Sequence, residues 1–146
     1  MKKEYPSVNY CLIKDYEQIK NKINKDSHVI NIDFSSFKDL SEFKEFLRSI
    51  IDVPQHYLNN LDSLQDLFFE LPYFVKNKKI IVLLKNYNQL MVLNKYYYDN
   101  FIDILACASK FLEDNKEGDL KTFVFVEGNK QMKKLIDYQS KLIKKG

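Results

Sequence analysis

Three short apolar runs separated by helical stripes constrain what this 146-residue chain can fold into. Val29-Ile30-Asn31-Ile32-Asp33-Phe34 mixes β-branched and aromatic residues with polar ones in partial alternation, the pattern of a strand. Lys79-Ile80-Ile81-Val82-Leu83-Leu84 is a continuous apolar run, as expected of a strand covered on both faces of a parallel sheet. Thr122-Phe123-Val124-Phe125-Val126 reads as a third buried strand. Between the first two runs, Leu40, Phe43, Leu47 and Ile50 recur at the spacing of one helical face. Asp52-Val53-Pro54 marks the stop of that helix, because the residue before a proline is pushed out of helical conformation. A second helix is predicted after Asn60, with Leu61, Leu64, Leu67 and Phe68 on its apolar side and an end near Leu71-Pro72. Phe101, Ile104, Leu105, Ala108, Phe111 and Leu112 form another stripe, closed at Glu117-Gly118. Strands alternating with helices imply βαβ units, so the expected fold is α/β: a three-stranded parallel sheet with packed helices and right-handed crossovers.

Three segments exceed this alternation. Val8 to Ile13 has the character of an additional strand, and Asp15 is placed to cap a helix carrying Tyr16, Ile19 and Ile23, together an extra βα unit at the sheet edge. Asn86 to Asn100, with Tyr87, Tyr96, Tyr97 and Tyr98, is a longer and more aromatic connection than the fold requires. After the last strand, Asn129 is a candidate cap for a C-terminal helix with Met132, Leu135, Ile136, Leu142 and Ile143 on one side and lysines on the other. The expectation is a single domain over 1–146, with a core of about 28–127 and extensions at 1–27 and 128–146.

Composition narrows the class further. Hydrophobic residues at 45% and aromatics at 14% supply a core, and three glycines with three prolines are too few for a disordered chain. No apolar run approaches the ~20 residues that cross a bilayer, and Met1 to Pro6 lacks the apolar core of a signal peptide, so a cytoplasmic protein is expected. Cys11 and Cys107 have no metal-type spacing and are expected as free thiols. The net charge of +3 is unevenly spread: residues 29–128 hold 11 basic and 15 acidic groups, whereas both ends are basic. An acidic body suits a cationic partner, since opposite potentials speed encounter and penalise wrong partners.

The segment from Val53 to Phe68 is the richest in chemistry. Asn60 is a good N-cap, able to accept from backbone N–H groups that the first helical turn leaves unpaired. Asp62 and Asp66 then lie four residues apart on one face. The run of Val53-Pro54, Tyr57, Asn60-Leu61-Asp62, Leu64, Asp66 and Phe68 at these spacings resembles the signature of the barstar family, small cytoplasmic inhibitors of secreted bacterial ribonucleases of the barnase type. The resemblance covers about residues 28 to 127, helped by Gly118 followed by Thr122-Phe123-Val124-Phe125, and it implies a barstar-like domain.

The resemblance also implies a function. Family members inhibit by mimicry: an acidic helix and the loop before it plug the nuclease active site, and a carboxylate takes the place of the scissile phosphate. Carried over by position, Asp66 is the phosphate mimic, Asp62 pairs with a second cation, Asn60 and Leu61 shape the inserted loop, and Glu113 matches a family acid on the third helical segment. His56, Leu58 and Gln65 fall within the same expected contact surface but depart from the family, which commonly has an aromatic, a glycine and a tryptophan there. Losing a permissive glycine and a favoured interface anchor implies a partner different from barnase itself, or a shifted binding mode, and His56 offers a route to pH-dependent affinity. The implied partner is a small basic ribonuclease of extracellular type or a toxin nuclease domain, with no direct nucleic-acid contact and no membrane. No catalytic residue, metal or cofactor is expected. From the residues alone a second class stays open, a nucleic-acid-binding module that uses the basic ends and the tyrosines. An enzyme has little support, with no phosphate-cradling glycine-rich loop and only His28 and His56 for imidazole chemistry.

Overall fold

A computed structural model describes residues 7–145 of the chain, with side chains through Leu142. Expectations concerning Met1–Pro6 and the Ile143 side chain lie outside the described residues. Four strands, β1 (Val8–Leu12), β2 (His28–Asp33), β3 (Lys79–Lys85) and β4 (Asp119–Val126), form one parallel sheet in the order β1-β4-β3-β2. The expected three-stranded sheet is thereby corrected to four: Val8–Leu12 is a full member, running in register with Thr122–Val126, and Ser7 accepts from the Thr122 N–H at 2.8 Å. The extra βα unit at the edge is completed by α1 (Tyr16–Asn21), although the Asp15 side chain makes no capping bond.

Strand alternation sorts side chains onto two unequal faces. One face presents Ile30, Ile32, Val82, Leu84, Val124 and Val126 to the main core. There α2 (Leu40–Ile50), α3 (Leu61–Phe69), α4 (Leu71–Val75), α5 (Gln89–Leu93), α6 (Lys95–Asp114) and α7 (Asn129–Lys145) supply the cover. Among the described residues α1 is the helix that covers the other face, with Tyr16 packed edge-on to Phe125 at 5.0 Å over Leu83. Asn31 donates to the Tyr16 hydroxyl, and the Lys85 ammonium lies 4.5 Å from the Tyr16 ring centroid. In the main core Phe34, Phe43, Phe68 and Phe101 are fully enclosed, and the Phe101 ring meets the other three at 5.7 to 6.0 Å.

Several boundaries differ from the sequence expectation for identifiable reasons. Pro72 does not stop the chain; it sits in the first turn of α4, where a proline's missing N–H costs nothing, and that helix ends at Lys76 in the left-handed region (φ 57°). The tyrosine-rich connection is helical. Asn94 caps α6 by accepting from the Tyr97 N–H at 3.1 Å, so Tyr97 and Tyr98 are buried helix residues while Tyr96 is exposed. After α6 the left-handed position is Lys116 (φ 56°), not Gly118. Gly118 is required for space instead: a Cβ there would lie 2.9 Å from Pro72 Cγ and 3.1 Å from the Lys78 carbonyl. At the last helix Gly128, not Asn129, takes the cap position, its carbonyl accepting from Met132 N–H at 2.9 Å.

Removing residues 1–27 uncovers the β4 edge together with Phe125 and Leu83. The truncated chain is expected to melt at lower temperature and to self-associate through that edge; unchanged melting and monomeric elution in size-exclusion chromatography would show the β1 unit to be dispensable. Burial pushes the Tyr10 phenol on β1 up to about 12. The folded state therefore holds this proton where the unfolded chain has lost it, so stability should fall as pH rises past the ordinary phenol value near 10. Denaturant midpoints across that range check the sign.

Candidate partner-binding site

The approach to α3 is held from beneath. Ile51 and Val53 are buried as the chain leaves α2, Pro54 opens a single 3₁₀ turn over Gln55–Leu58, and Arg48 Nη1 on α2 donates to Gln55 Oε1 at 2.9 Å. Leu58 and Leu61 are 2% and 7% exposed and belong to the core. Their side chains anchor the turn and the first residue of the helix, beneath polar neighbours that face outward. Asn60 takes extended backbone (φ −153°, ψ 178°), and its Oδ1 accepts from Ser63 N–H at 2.8 Å, the cap expected from sequence.

Leu61, Leu64, Leu67 and Phe68 are buried under α3, which sets the rotation of the helix. Asp62 and Asp66 consequently point into solvent one turn apart, with Gln65 half-buried beside them. Neither carboxylate has an ion-pair or hydrogen-bond partner among the described residues, whose salt bridges are Lys79–Asp26, Lys95–Asp99 and Lys110–Asp114. Like charges at this spacing oppose helix formation by a few tenths of a kcal/mol. Asp62 offsets this by lying in the first turn, where the helix dipole favours an anion.

A third acid continues the row. Glu70, four residues past Asp66, is exposed at the C-terminal end of α3. Its Oε2 accepts from the Tyr57 hydroxyl at 2.9 Å, and that hydrogen bond holds the phenol pKa above its usual value. The His56 ring lies against Tyr57 at 4.5 Å and is itself exposed. The turn before the helix is thus tied to the far end of the same helix. The 62, 66, 70 spacing carries this signal in the sequence, with Glu70 at the end of the predicted helix, just before Leu71-Pro72.

Glu113 is exposed in the last turn of α6. That turn reaches α3 at its C-terminal end, where Phe111 stacks flat on Phe69 at 4.4 Å. His56, Asn60, Asp62, Gln65 and Asp66 share one segment, whereas Glu113 approaches from a separate helix. Among the described residues no group of three His, Cys, Asp or Glu side chains is placed to hold a metal ion, and no helix is long and apolar enough to cross a membrane.

Asn60→Ala is expected to cost about 1 kcal/mol of stability through the lost cap. Tyr57→Phe, which removes an exposed hydrogen bond, should change stability by less than about 0.5 kcal/mol. Chemical denaturation of the two variants checks the difference; equal losses would mean that the Tyr57–Glu70 tie, not the cap, holds this segment.

Comparison with known proteins adds one finding. A family model described as barstar, the barnase inhibitor, matches residues 27–125, a span that takes in the 3₁₀ turn, α3 and α6 and leaves out β1, α1 and α7. No curated protein and no solved structure matches the chain.

Proposed function

The chain belongs to the barstar family, and from that premise we propose that it inhibits a barnase-type ribonuclease by presenting the acidic face of α3 to the nuclease active site. The observation that carries this reading is the pair of exposed carboxylates, Asp62 and Asp66, held one turn apart with no partner among the described residues. A ribonuclease site must gather Arg, Lys and His side chains to bind RNA phosphate, and charge-assisted bonds to a carboxylate satisfy donors that are already in place. Asp66 serves as the phosphate mimic and Asp62 pairs with a second cation, while the capped backbone at Asn60 fixes their approach. His56 and Gln65 flank the acids, and Glu113 adds a carboxylate from α6. Inhibition of this kind needs occupancy, not turnover, so no catalytic group is required of the chain.

The biological setting that fits is protection of a producing cell from its own secreted nuclease, or immunity against a related toxin domain, with the inhibitor acting in the cytoplasm. The departures at the exposed His56 and half-buried Gln65 from the residues common in the family favour a nuclease other than barnase itself or a shifted binding mode.

Asp62→Asn and Asp66→Asn keep side-chain volume and remove charge. Each should leave thermal stability nearly unchanged, because both groups are exposed. The ribonuclease captured by a tagged wild-type chain should be silenced at one-to-one stoichiometry, and Asp66→Asn should weaken inhibition about a hundredfold or more, because cations buried at the interface lose their counter-charge. Undiminished inhibition by the double variant, or capture of RNA without a nuclease, would overturn the assignment.

A further inference from the structure

A crevice of about 320 Å³ opens at the carboxyl ends of β1, β3 and β4. Its position follows from topology. After β1 the chain leaves toward the face covered by α1, whereas after the adjacent β4 it leaves toward the opposite face, where α7 packs. Neighbouring strands whose connections part in this way leave a gap between them, and open α/β sheets take their ligands in such gaps. No residue of α2, α3 or α4 lines this one, so it is separate from the acidic face.

The walls are aromatic and fixed in advance. Tyr87 is 1% exposed, stacks on Tyr98 at 4.9 Å and donates its hydroxyl to the Tyr98 carbonyl at 2.5 Å. Tyr138 on α7 donates to Asp99 Oδ1 on α6 at 2.6 Å, and Lys95 bonds the other oxygen of that carboxylate at 2.8 Å. The rim, by contrast, carries polar groups left over. Lys134 and Glu127 both line the crevice, yet neither forms an ion pair with the other or with any described residue. Gln131 uses its side-chain oxygen to accept from Glu127 N–H at 2.8 Å, which leaves its NH₂ group as an available donor.

We propose that this crevice binds a small zwitterion with a flat apolar body, the chemistry of a free aromatic amino acid. A simple anion would suit Lys134 and be opposed by Glu127, and a simple cation would meet the reverse. A molecule carrying both charges suits a lining that holds one group of each sign, and Tyr98, Phe125 and Leu135 supply an apolar wall for its ring. The volume lies at the low end of the roughly 300–1,000 Å³ typical of small-molecule pockets, which fits a ligand of this size.

The chain contains no tryptophan, so the emission of added L-tryptophan reports binding without background from the protein's own indoles. Titration with the full chain should shift that emission to shorter wavelength and raise its anisotropy, saturably. Glu127→Gln and Lys134→Met should each weaken binding about two- to fivefold, the scale of a partly exposed ion pair. Asp66→Asn should leave it unchanged, and N-acetyl-L-tryptophan, which lacks the cation, should bind less well than the amino acid. Equal thermal midpoints establish that the variants are folded. Absence of saturable binding at millimolar L-tryptophan, full binding by both rim variants, or tighter binding of guanosine monophosphate than of L-tryptophan would overturn the proposal.

Discussion

Burial of Leu61, Leu64, Leu67 and Phe68 beneath α3 is the constraint on which the presentation of the acidic face depends. Each such side chain contributes about 1.5–3 kcal/mol when removed from water, whereas repulsion between Asp62 and Asp66 amounts to a few tenths. The apolar term therefore fixes the rotation of the helix and the charges follow. Relieving that repulsion would mean unwinding α3, which would lift the leucines out of contact with the core around Phe101, an exchange of several kcal/mol for less than one. Asp62 and Asp66, without a partner among the described residues, are tolerated in this fold because the opposite side of the same helix is so well held.

The surroundings of α3 extend the same logic. Leu58 ties the preceding turn to the core, Arg48 braces it from α2, and the Tyr57–Glu70 hydrogen bond joins it to the end of the helix it introduces. Position is thus specified at both ends, and the exposed acids need no partners of their own to stay in place. Restricting these groups before binding lowers the ordering cost that an interface must overcome. The sheet beneath is asymmetric: six helices crowd one face, and a single short helix with Tyr16 guards part of the other.

Much of this was legible in the residues. The continuous runs at 79–84 and 122–126 and the stripes at Leu40–Ile50 and Leu61–Phe68 each have one period that fits, and the structure follows them to within a residue, except that β4 starts three residues before its apolar run. Asn60 was readable as a cap because the geometry is local. What escaped was non-local. Val8–Ile13 was readable as an extra edge strand, but its partner β4 lies more than a hundred residues away in the chain, and no pattern within the strand declares that partner. Gly118 looked like a helix stop, whereas its constraint comes from Pro72 on another helix. Leu58 stands where the family commonly has glycine, and only the packed turn shows that its side chain reaches into the core. α3 ends at Phe69, close to the expected stop, but the tie from Tyr57 to Glu70 depends on the preceding turn folding back along the helix, which no local pattern declares.

Amide hydrogen exchange, compared between the chain alone and the chain bound to its captured nuclease, tests the central claim most directly. Added protection concentrated in residues 55–70, with β1 and α1 unchanged, is the expected result. Protection confined to α1 and the open sheet face, with residues 55–70 exchanging as they do in the free chain, would contradict it.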